Sequence, residues 1–151
     1  MNALKPAINL ENVTRTFVQA GQKVTALHKT TFSAHLGEFI AIIGPSGSGK
    51  STFLTIAGGL QNPSSGSVII NGTNITKLSA KELSAVRFNE IGFIFQASNL
   101  VPYLTVEKQL KLIDKVAGRA TNHDELNALL KELSIDKLAH KYPSDLSGGE
   151  R

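Results

Sequence analysis

The chain has 151 residues and contains no cysteine. It therefore forms neither disulfides nor thiolate metal sites, which fits a reducing compartment. It also lacks a long apolar run. The most concentrated apolar stretch, residues 39–43, has the length of a strand, whereas a helix that crosses a bilayer needs roughly 20 apolar residues. Because the N-terminus has no apolar core of signal-peptide length either, any role at a membrane is expected to be peripheral.

The ionisable residues form no cluster in the sequence. The formal net charge is +4 and the lysines are scattered, so we interpret them as a solvated surface and expect no nucleic-acid partner. Four histidines are widely spaced and show no metal-binding pattern: His28, His35, His123 and His140. A hydrophobic fraction of 41% and a charged fraction of 19% are typical of a globular protein with a sizeable core.

The most informative stretch is rich in glycine and lies between an apolar run, residues 38–43, and a helix-compatible segment, residues 52–57. Glycines let several backbone N–H groups point at one anion, a lysine adds charge for the terminal phosphates, and a serine hydroxyl can ligate Mg²⁺. The following helix adds its partial positive end. A flexible linker is the alternative, but linkers seldom separate a buried strand from a helix. The stretch predicts a nucleoside triphosphate site made of Gly44, Pro45, Ser46, Gly47, Ser48, Gly49, Lys50, Ser51 and Thr52.

The first part of the chain predicts strands. We expect extended segments from about residue 8 and over residues 24–32, and two buried apolar strands over residues 38–43 and 91–95. Asn71-Gly72 predicts a tight hairpin turn between two further short strands.

Capping signals and apolar stripes predict the helices. Ser79 and Glu82 have capping-box spacing, so a helix is expected to begin there. Thr105 is a candidate cap for another helix. Two stripes at helical spacing are interpreted as core contacts rather than as a cofactor or membrane surface; they are Val106, Leu110, Ile113 and Ala117, and then Leu126, Leu129, Leu130 and Leu133. The chain thus divides into a sheet core over residues 1–96 and a helical subdomain over residues 97–151.

The sequence ends with a Leu-Ser-Gly-Gly-Glu motif, residues 146–150, which follows the glycine-rich stretch by about a hundred residues. Such a turn at the start of a helix offers free N–H donors to an anion. With Gln96 at the end of a predicted strand between the two motifs, the chain resembles the ATP-binding subunits of ABC transporters over its whole length. The resemblance implies an α/β fold: an incomplete P-loop NTPase core, with a mixed sheet and an antiparallel β subdomain, plus a helical subdomain.

The resemblance also implies roles for single residues. Lys50 would stabilise charge on the γ-phosphate. Ser51 would contact Mg²⁺, and Gln96 would contact Mg²⁺ or the attacking water with its amide oxygen. Phe17 stands where the family usually has a tyrosine that stacks on adenine. Ser147, Gly148 and Gly149 would bind the γ-phosphate of ATP held by a second copy, which implies a head-to-tail dimer around two ATP molecules.

Residues 91–107 look like the branch that contains macrolide exporters, lipoprotein-releasing systems and heme-efflux pumps. This likeness implies a separate membrane subunit as partner and a cytoplasmic location, peripheral on the inner face of the cell membrane. The sequence stops at the motif after which the family supplies its catalytic Asp-Glu pair and switch histidine. We therefore expect the natural subunit to be longer, and the 151-residue chain to bind nucleotide weakly and to hydrolyse essentially none.

Two other functions stay open at this point. One is a soluble ABC-type ATPase that works on nucleic acid or ribosomes, although such proteins usually carry tandem domains or coiled-coil insertions. The other is a regulatory module that binds nucleotide without hydrolysing it.

Overall fold

The computed structural model describes residues 5–96 and 99–150. The chain divides into two compact units, Met1–Phe93 and Ile94–Arg151. Each unit has its own hydrophobic core.

The first unit is built on a four-stranded antiparallel sheet. Its strands are β1 (Ile8–Gln19), β2 (Gln22–Ala34), β3 (Ser65–Ile70) and β4 (Thr73–Asn74), in the order β2-β1-β3-β4. The predicted Asn-Gly hairpin is confirmed: Asn71 and Gly72 take φ angles of 46° and 82°, the left-handed pair that a two-residue hairpin turn needs.

Two helices belong to this unit. Helix α1 (Lys50–Ala57) follows the glycine-rich stretch, and α2 (Ala80–Glu90) follows β4 and a 3₁₀ turn, Ile75–Lys77. The predicted capping box is confirmed, since Glu82 N–H donates to Ser79 Oγ and Ser79 N–H donates to Glu82 Oε2.

The core of the first unit lies between the sheet and α1. The side chains of Leu10, Val13 and Ile56 are 0% exposed, and the rings of Phe32 and Phe53 meet edge to face at 5.2 Å. Burial of these apolar surfaces fixes α1 against β1 and β2. The start of α1, where the glycine-rich stretch ends, is thereby fixed as well.

The second unit is helical. It contains α3 (Val106–Ala117), α4 (His123–Glu132) and 3₁₀ turns at Asp136–Leu138 and Pro143–Asp145. The predicted cap is confirmed, because Thr105 Oγ1 accepts a hydrogen bond from Lys108 N–H. Among the described residues, no helix is both long enough and apolar enough to cross a membrane.

The predicted core stripes of the second unit are only partly buried. Leu126 and Leu130 form a small core with Ala139, and Val106 and Leu110 pack against it. In contrast, the side chains predicted to extend the two stripes are exposed, and they are Ile113, Ala117, Leu129 and Leu133. Ile113 and Leu129 line a cavity rather than the packed core.

The two predicted buried strands are the main correction to the sequence analysis. Neither residues 38–43 nor residues 91–95 belong to the described sheet, and Phe39, Ile43 and Ile94 are 97%, 90% and 100% exposed. A strand is defined by hydrogen bonds to a neighbouring strand, and the described residues provide none for residues 38–43. The described sheet is the predicted antiparallel one, and the predicted mixed sheet is not found among the described residues.

The core assignment predicts a large difference between two leucines. Leu10→Ala removes a fully buried side chain and should lower the free energy of unfolding by about 2–5 kcal/mol, since it leaves a cavity. Leu36→Ala makes the same chemical change where the side chain is 84% exposed, and should cost about 0.5 kcal/mol or less. Urea unfolding followed by circular dichroism measures both. Equal losses would show that Leu10 is not a core residue.

Candidate functional site

The candidate site begins with the glycine-rich loop (residues 44–49), which joins residues 38–43 to α1. Gly47 and Gly49 have φ angles of 78° and 89°, in the region that favours glycine. A Cβ on Gly49 would lie 2.4 Å from the carbonyl oxygen of Ala26. Only glycine therefore lets the end of the loop lie directly on the backbone of β2.

Lys50 closes the loop. Its ammonium Nζ donates to the carbonyl oxygen of Gly44 at 2.8 Å and to that of Pro45 at 2.7 Å. An ammonium group carries three N–H donors. Two of them hold the loop, and the third has no acceptor among the residues that the structure describes, so a positive charge is fixed at the loop with one donor left for a ligand.

The first turn of α1 adds further donors. The N-cap is Gly49, the turn itself contains no acidic residue, and no side chain in the described part of the chain caps it. Its first N–H groups are therefore not satisfied by side chains, and the partial positive end of the helix is not neutralised. This arrangement suits an anion.

A cavity of about 340 Å³ lies against these groups. One wall is residues 46–52, and the other is Val24, Thr25 and Ala26 of β2. None of its lining residues is acidic. The structure thus brings together the predicted residues from Ser46 to Thr52, and Gly44 and Pro45 join them through Lys50. The Ser51 residue is exposed.

Phe17 lies beside this cavity. It pairs with Val24 across β1 and β2, and Val24 lines the cavity. Residues directly opposite each other in an antiparallel pair project from the same face of the sheet. The Phe17 ring is 37% exposed, so part of its surface is open to a ligand next to the loop.

Gln96 belongs to the second unit and is an exposed residue at a bend. Because residues 91–95 form no strand, Gln96 does not end one, which corrects the sequence analysis. The two residues after it, Ala97 and Ser98, lie outside the described part of the chain.

The Leu-Ser-Gly-Gly-Glu motif, called here the signature segment (residues 146–150), also lies in the second unit. Leu146 is buried and the rest is an exposed turn. Ser147 N–H donates to Glu150 Oε2 at 2.7 Å, and Glu150 N–H donates to Ser147 O at 3.1 Å. Among residues 5–96 and 99–150, a Cβ on Gly148 or Gly149 would meet no atom within 4 Å, so the described residues leave these glycines open to an approaching group.

Hydrogen bonds lower the pKa of Glu150. The largest cause is the Ser147 N–H and the next is the Ser147 hydroxyl. Sequence reasoning missed this carboxylate contact, although Ser147 and Glu150 have the same spacing as the Ser79–Glu82 capping box.

Sequence reasoning also missed the β2 wall of the cavity. Val24, Thr25 and Ala26 carry no motif, and the close approach of Gly49 to Ala26 is what places them beside the loop. No local sequence signal could have identified them.

A family model and similar proteins of known sequence point to the same family. A family model described as "ABC transporter" matches residues 27–151. The chain is 45% identical over 147 residues to the "Putative hemin import ATP-binding protein HrtA" of Staphylococcus haemolyticus, covering 96% of the chain and 66% of that protein. It is 39% identical over 149 residues to the "Macrolide export ATP-binding/permease protein MacB" of Brucella abortus, covering 97% of the chain and 23% of that protein.

Solved structures that are similar to the chain belong to the same family as these proteins. The chain is similar to the "Dimeric Structure of MJ0796, a Bacterial ABC Transporter Cassette", with a TM-score of 0.86 at 37% identity over 95% of the chain and 64% of that structure. A second structure, described as a post-hydrolysis state of the same cassette bound to ADP and Pi, gives a TM-score of 0.85 at 36% identity. The chain thus spans about two thirds of the cassette and of the staphylococcal relative.

The close approach of Gly49 to β2 makes a testable distinction between two loop glycines. Gly49→Ala and Gly47→Ala both place alanine at positive φ, which costs about 1–2 kcal/mol. Only Gly49→Ala also drives a Cβ into the Ala26 carbonyl, whereas the Cβ of Gly47→Ala meets nothing within 4 Å. Urea unfolding should therefore show a clearly larger loss for Gly49→Ala. Losses of the same size would rule out the packing of the loop on β2.

The hydrogen bonds between Ser147 and the Glu150 carboxylate in the signature segment should depend on pH. Because the pKa of Glu150 is lowered in the folded chain, its carboxylate keeps the Ser147 contacts at neutral pH and loses them as pH falls through that lowered value. An NMR titration of the Glu150 carboxyl group should show a midpoint below the ordinary glutamate range. Ser147→Ala should raise that midpoint partway, since the hydroxyl is lost and the N–H remains. A midpoint that Ser147→Ala leaves unchanged would contradict the contact with the hydroxyl.

Proposed function

The chain belongs to the ABC transporter family, and on that premise we propose that it binds ATP with Mg²⁺ and couples ATP binding and hydrolysis to transport by a separate membrane subunit. The observation that carries the proposal is the position of Lys50. Its ammonium is held by the carbonyl oxygens of Gly44 and Pro45 beside a helix start that no side chain caps. Fixed positive charge and free N–H donors at one point suit a triphosphate.

The residues around the cavity fit the phosphates of ATP. N–H groups of the glycine-rich loop and of the first turn of α1 would hold the β- and γ-phosphates, and Lys50 would direct its free N–H to the γ-phosphate. In phosphoryl transfer, groups held in place before the reaction stabilise the charge that spreads over the transferred oxygens. The exposed Ser51 hydroxyl would ligate Mg²⁺, which supplies further neutralisation of phosphate charge when bound.

The base would stack on Phe17. This ring is part-exposed and pairs with Val24 in the cavity wall. Stacking of flat aromatic groups adds binding energy beyond the surface that it buries.

Two further roles extend beyond the first unit. Gln96 would contact Mg²⁺ and the attacking water with its amide oxygen. Ser147, Gly148 and Gly149 would bind the γ-phosphate of ATP on a second copy, in a head-to-tail dimer. The exposed, unobstructed glycines of the signature segment support this role, as does the solved cassette, which is described as dimeric.

We assign the transport direction as export, with the protein on the inner face of the cell membrane. The support is the likeness of residues 91–107 to exporter ATPases and the macrolide-export relative. The staphylococcal relative is described as a hemin import protein, so the printed names do not agree on direction. Hemin and macrolides are the cargoes that these names give, and the membrane subunit would select the cargo of this chain.

The ammonium of Lys50 provides the direct test. In the purified natural gene product, Lys50→Ala should reduce steady ATP turnover roughly 100- to 1000-fold, the loss typical of removing one preorganised charge-stabilising donor. It should also weaken binding of a fluorescent ATP analogue.

Lys77→Ala is the matched control, since Lys77 is an exposed lysine in the 3₁₀ turn after β4 and does not line the cavity. It should change neither property. Full turnover and full binding in Lys50→Ala would refute the proposed function, whereas binding without any turnover in the unmodified protein would favour a regulatory module.

A further inference from the structure

We propose that Arg15 is a positioning residue for the base: it holds the Phe17 ring in the orientation on which adenine stacks. The inference rests on the proposed function of the site. The guanidinium carbon of Arg15 lies over the Phe17 ring, 4.6 Å from the ring centre. A guanidinium at this distance is attracted to the negative face of the ring.

The pairing of β1 with β2 is irregular on both sides of Arg15. The pairing of β1 with β2 shifts register between Val13 and Arg15 and again between Arg15 and Thr16. In both places the extra residue lies on β2, so the alternation of side chains along β1 is kept. Residues two apart on a strand project from the same face, which allows Arg15 to lie over the Phe17 ring.

The other end of the guanidinium is anchored. Arg15 Nη1 donates to the carbonyl oxygen of Asn62 at 2.8 Å. The segment that carries Asn62 is itself tied to β1, because Ser64 N–H donates to Thr14 O at 2.8 Å and Thr16 N–H donates to Ser64 Oγ at 3.0 Å. The cation over the ring is therefore held by a fixed part of the fold.

The position of Arg15 carries an energetic cost. Its Nε atom is buried, and among the described residues it has no hydrogen-bond partner. A buried donor without a partner opposes folding. Such a cost is expected where a side chain is placed for its ring contact rather than for the best hydrogen bonding.

Holding the ring has a consequence for binding. Phenylalanine has no hydroxyl group by which a hydrogen bond could fix its ring. The guanidinium lies over one face of the ring, and the Phe17 residue is 37% exposed, which leaves surface for a planar base. A ring that is already oriented loses less freedom when the base stacks, so binding is tighter. Arg15 would thus strengthen binding of the base and leave binding of the phosphates unchanged.

A comparison of two ligands separates an effect on binding of the base from an effect on binding of the phosphates. Calorimetry on the purified protein with Mg²⁺ would measure binding of ATP and of inorganic tripolyphosphate, which has the phosphates but no base. Arg15→Ala should weaken ATP binding roughly 2- to 10-fold, the range of a lost cation–ring contact, and leave tripolyphosphate binding unchanged. In a Phe17→Ala background, Arg15→Ala should have no further effect on ATP. Arg15→Lys, which keeps a cation but not a planar one, should weaken ATP binding less than Arg15→Ala does.

Arg87→Ala is the matched control. Arg87 also donates to a backbone carbonyl, that of Gly59 at 3.3 Å, but no ring stacks with it among the described residues. The Arg87→Ala substitution should therefore leave the affinities for ATP and for tripolyphosphate unchanged. Thermal unfolding checks that each variant is folded. Equal weakening of ATP and tripolyphosphate by Arg15→Ala, or additive losses with Phe17→Ala, would overturn the inference. If the unmodified protein bound neither ligand, the proposed function would fail instead.

Discussion

The ammonium group of Lys50, bonded to the carbonyl oxygens of Gly44 and Pro45, is the interaction on which the candidate site depends. It draws the beginning of the glycine-rich loop toward the start of α1, so that the loop encloses a space rather than extending away from the sheet. The same group contributes the fixed positive charge of that space. One side chain thus gives the loop its shape and gives the site its affinity for anions.

The loop can take this shape because the fold holds both of its sides. Phe53 and Ile56 bury one face of α1 in the core, and Gly49 allows the loop to touch the β2 backbone at Ala26. The strands that form this core also form the cavity wall and carry the Phe17 ring. Packing of the sheet and geometry of the site are therefore one property of the first unit, and a change that loosens α1 should disturb both.

Sequence reasoning succeeded where the signal is local. Capping spacing placed the starts of α2 and α3, Asn71-Gly72 placed a hairpin, and the glycine-rich pattern placed the loop, because each depends on the chemistry of a few adjacent residues. It failed for residues 38–43, whose apolar character indicated a buried strand, since a strand also needs a neighbour and hydrophobicity does not reveal one. The contact between Arg15 and Phe17 was also missed, because it depends on the anchoring of the guanidinium by the carbonyl oxygen of Asn62, which is distant in the sequence.

The central claim is that the glycine-rich loop and the first turn of α1 form the phosphate site. The most direct measurement is an NMR titration of the ¹⁵N-labelled protein with Mg²⁺ and ATP, read at the backbone amides. The account predicts the largest shifts at residues 46–52, with smaller shifts at Val24 and Phe17. Shifts concentrated in the cavity between α3 and α4, around Asp114 and Arg119, with residues 46–52 unchanged, would contradict it.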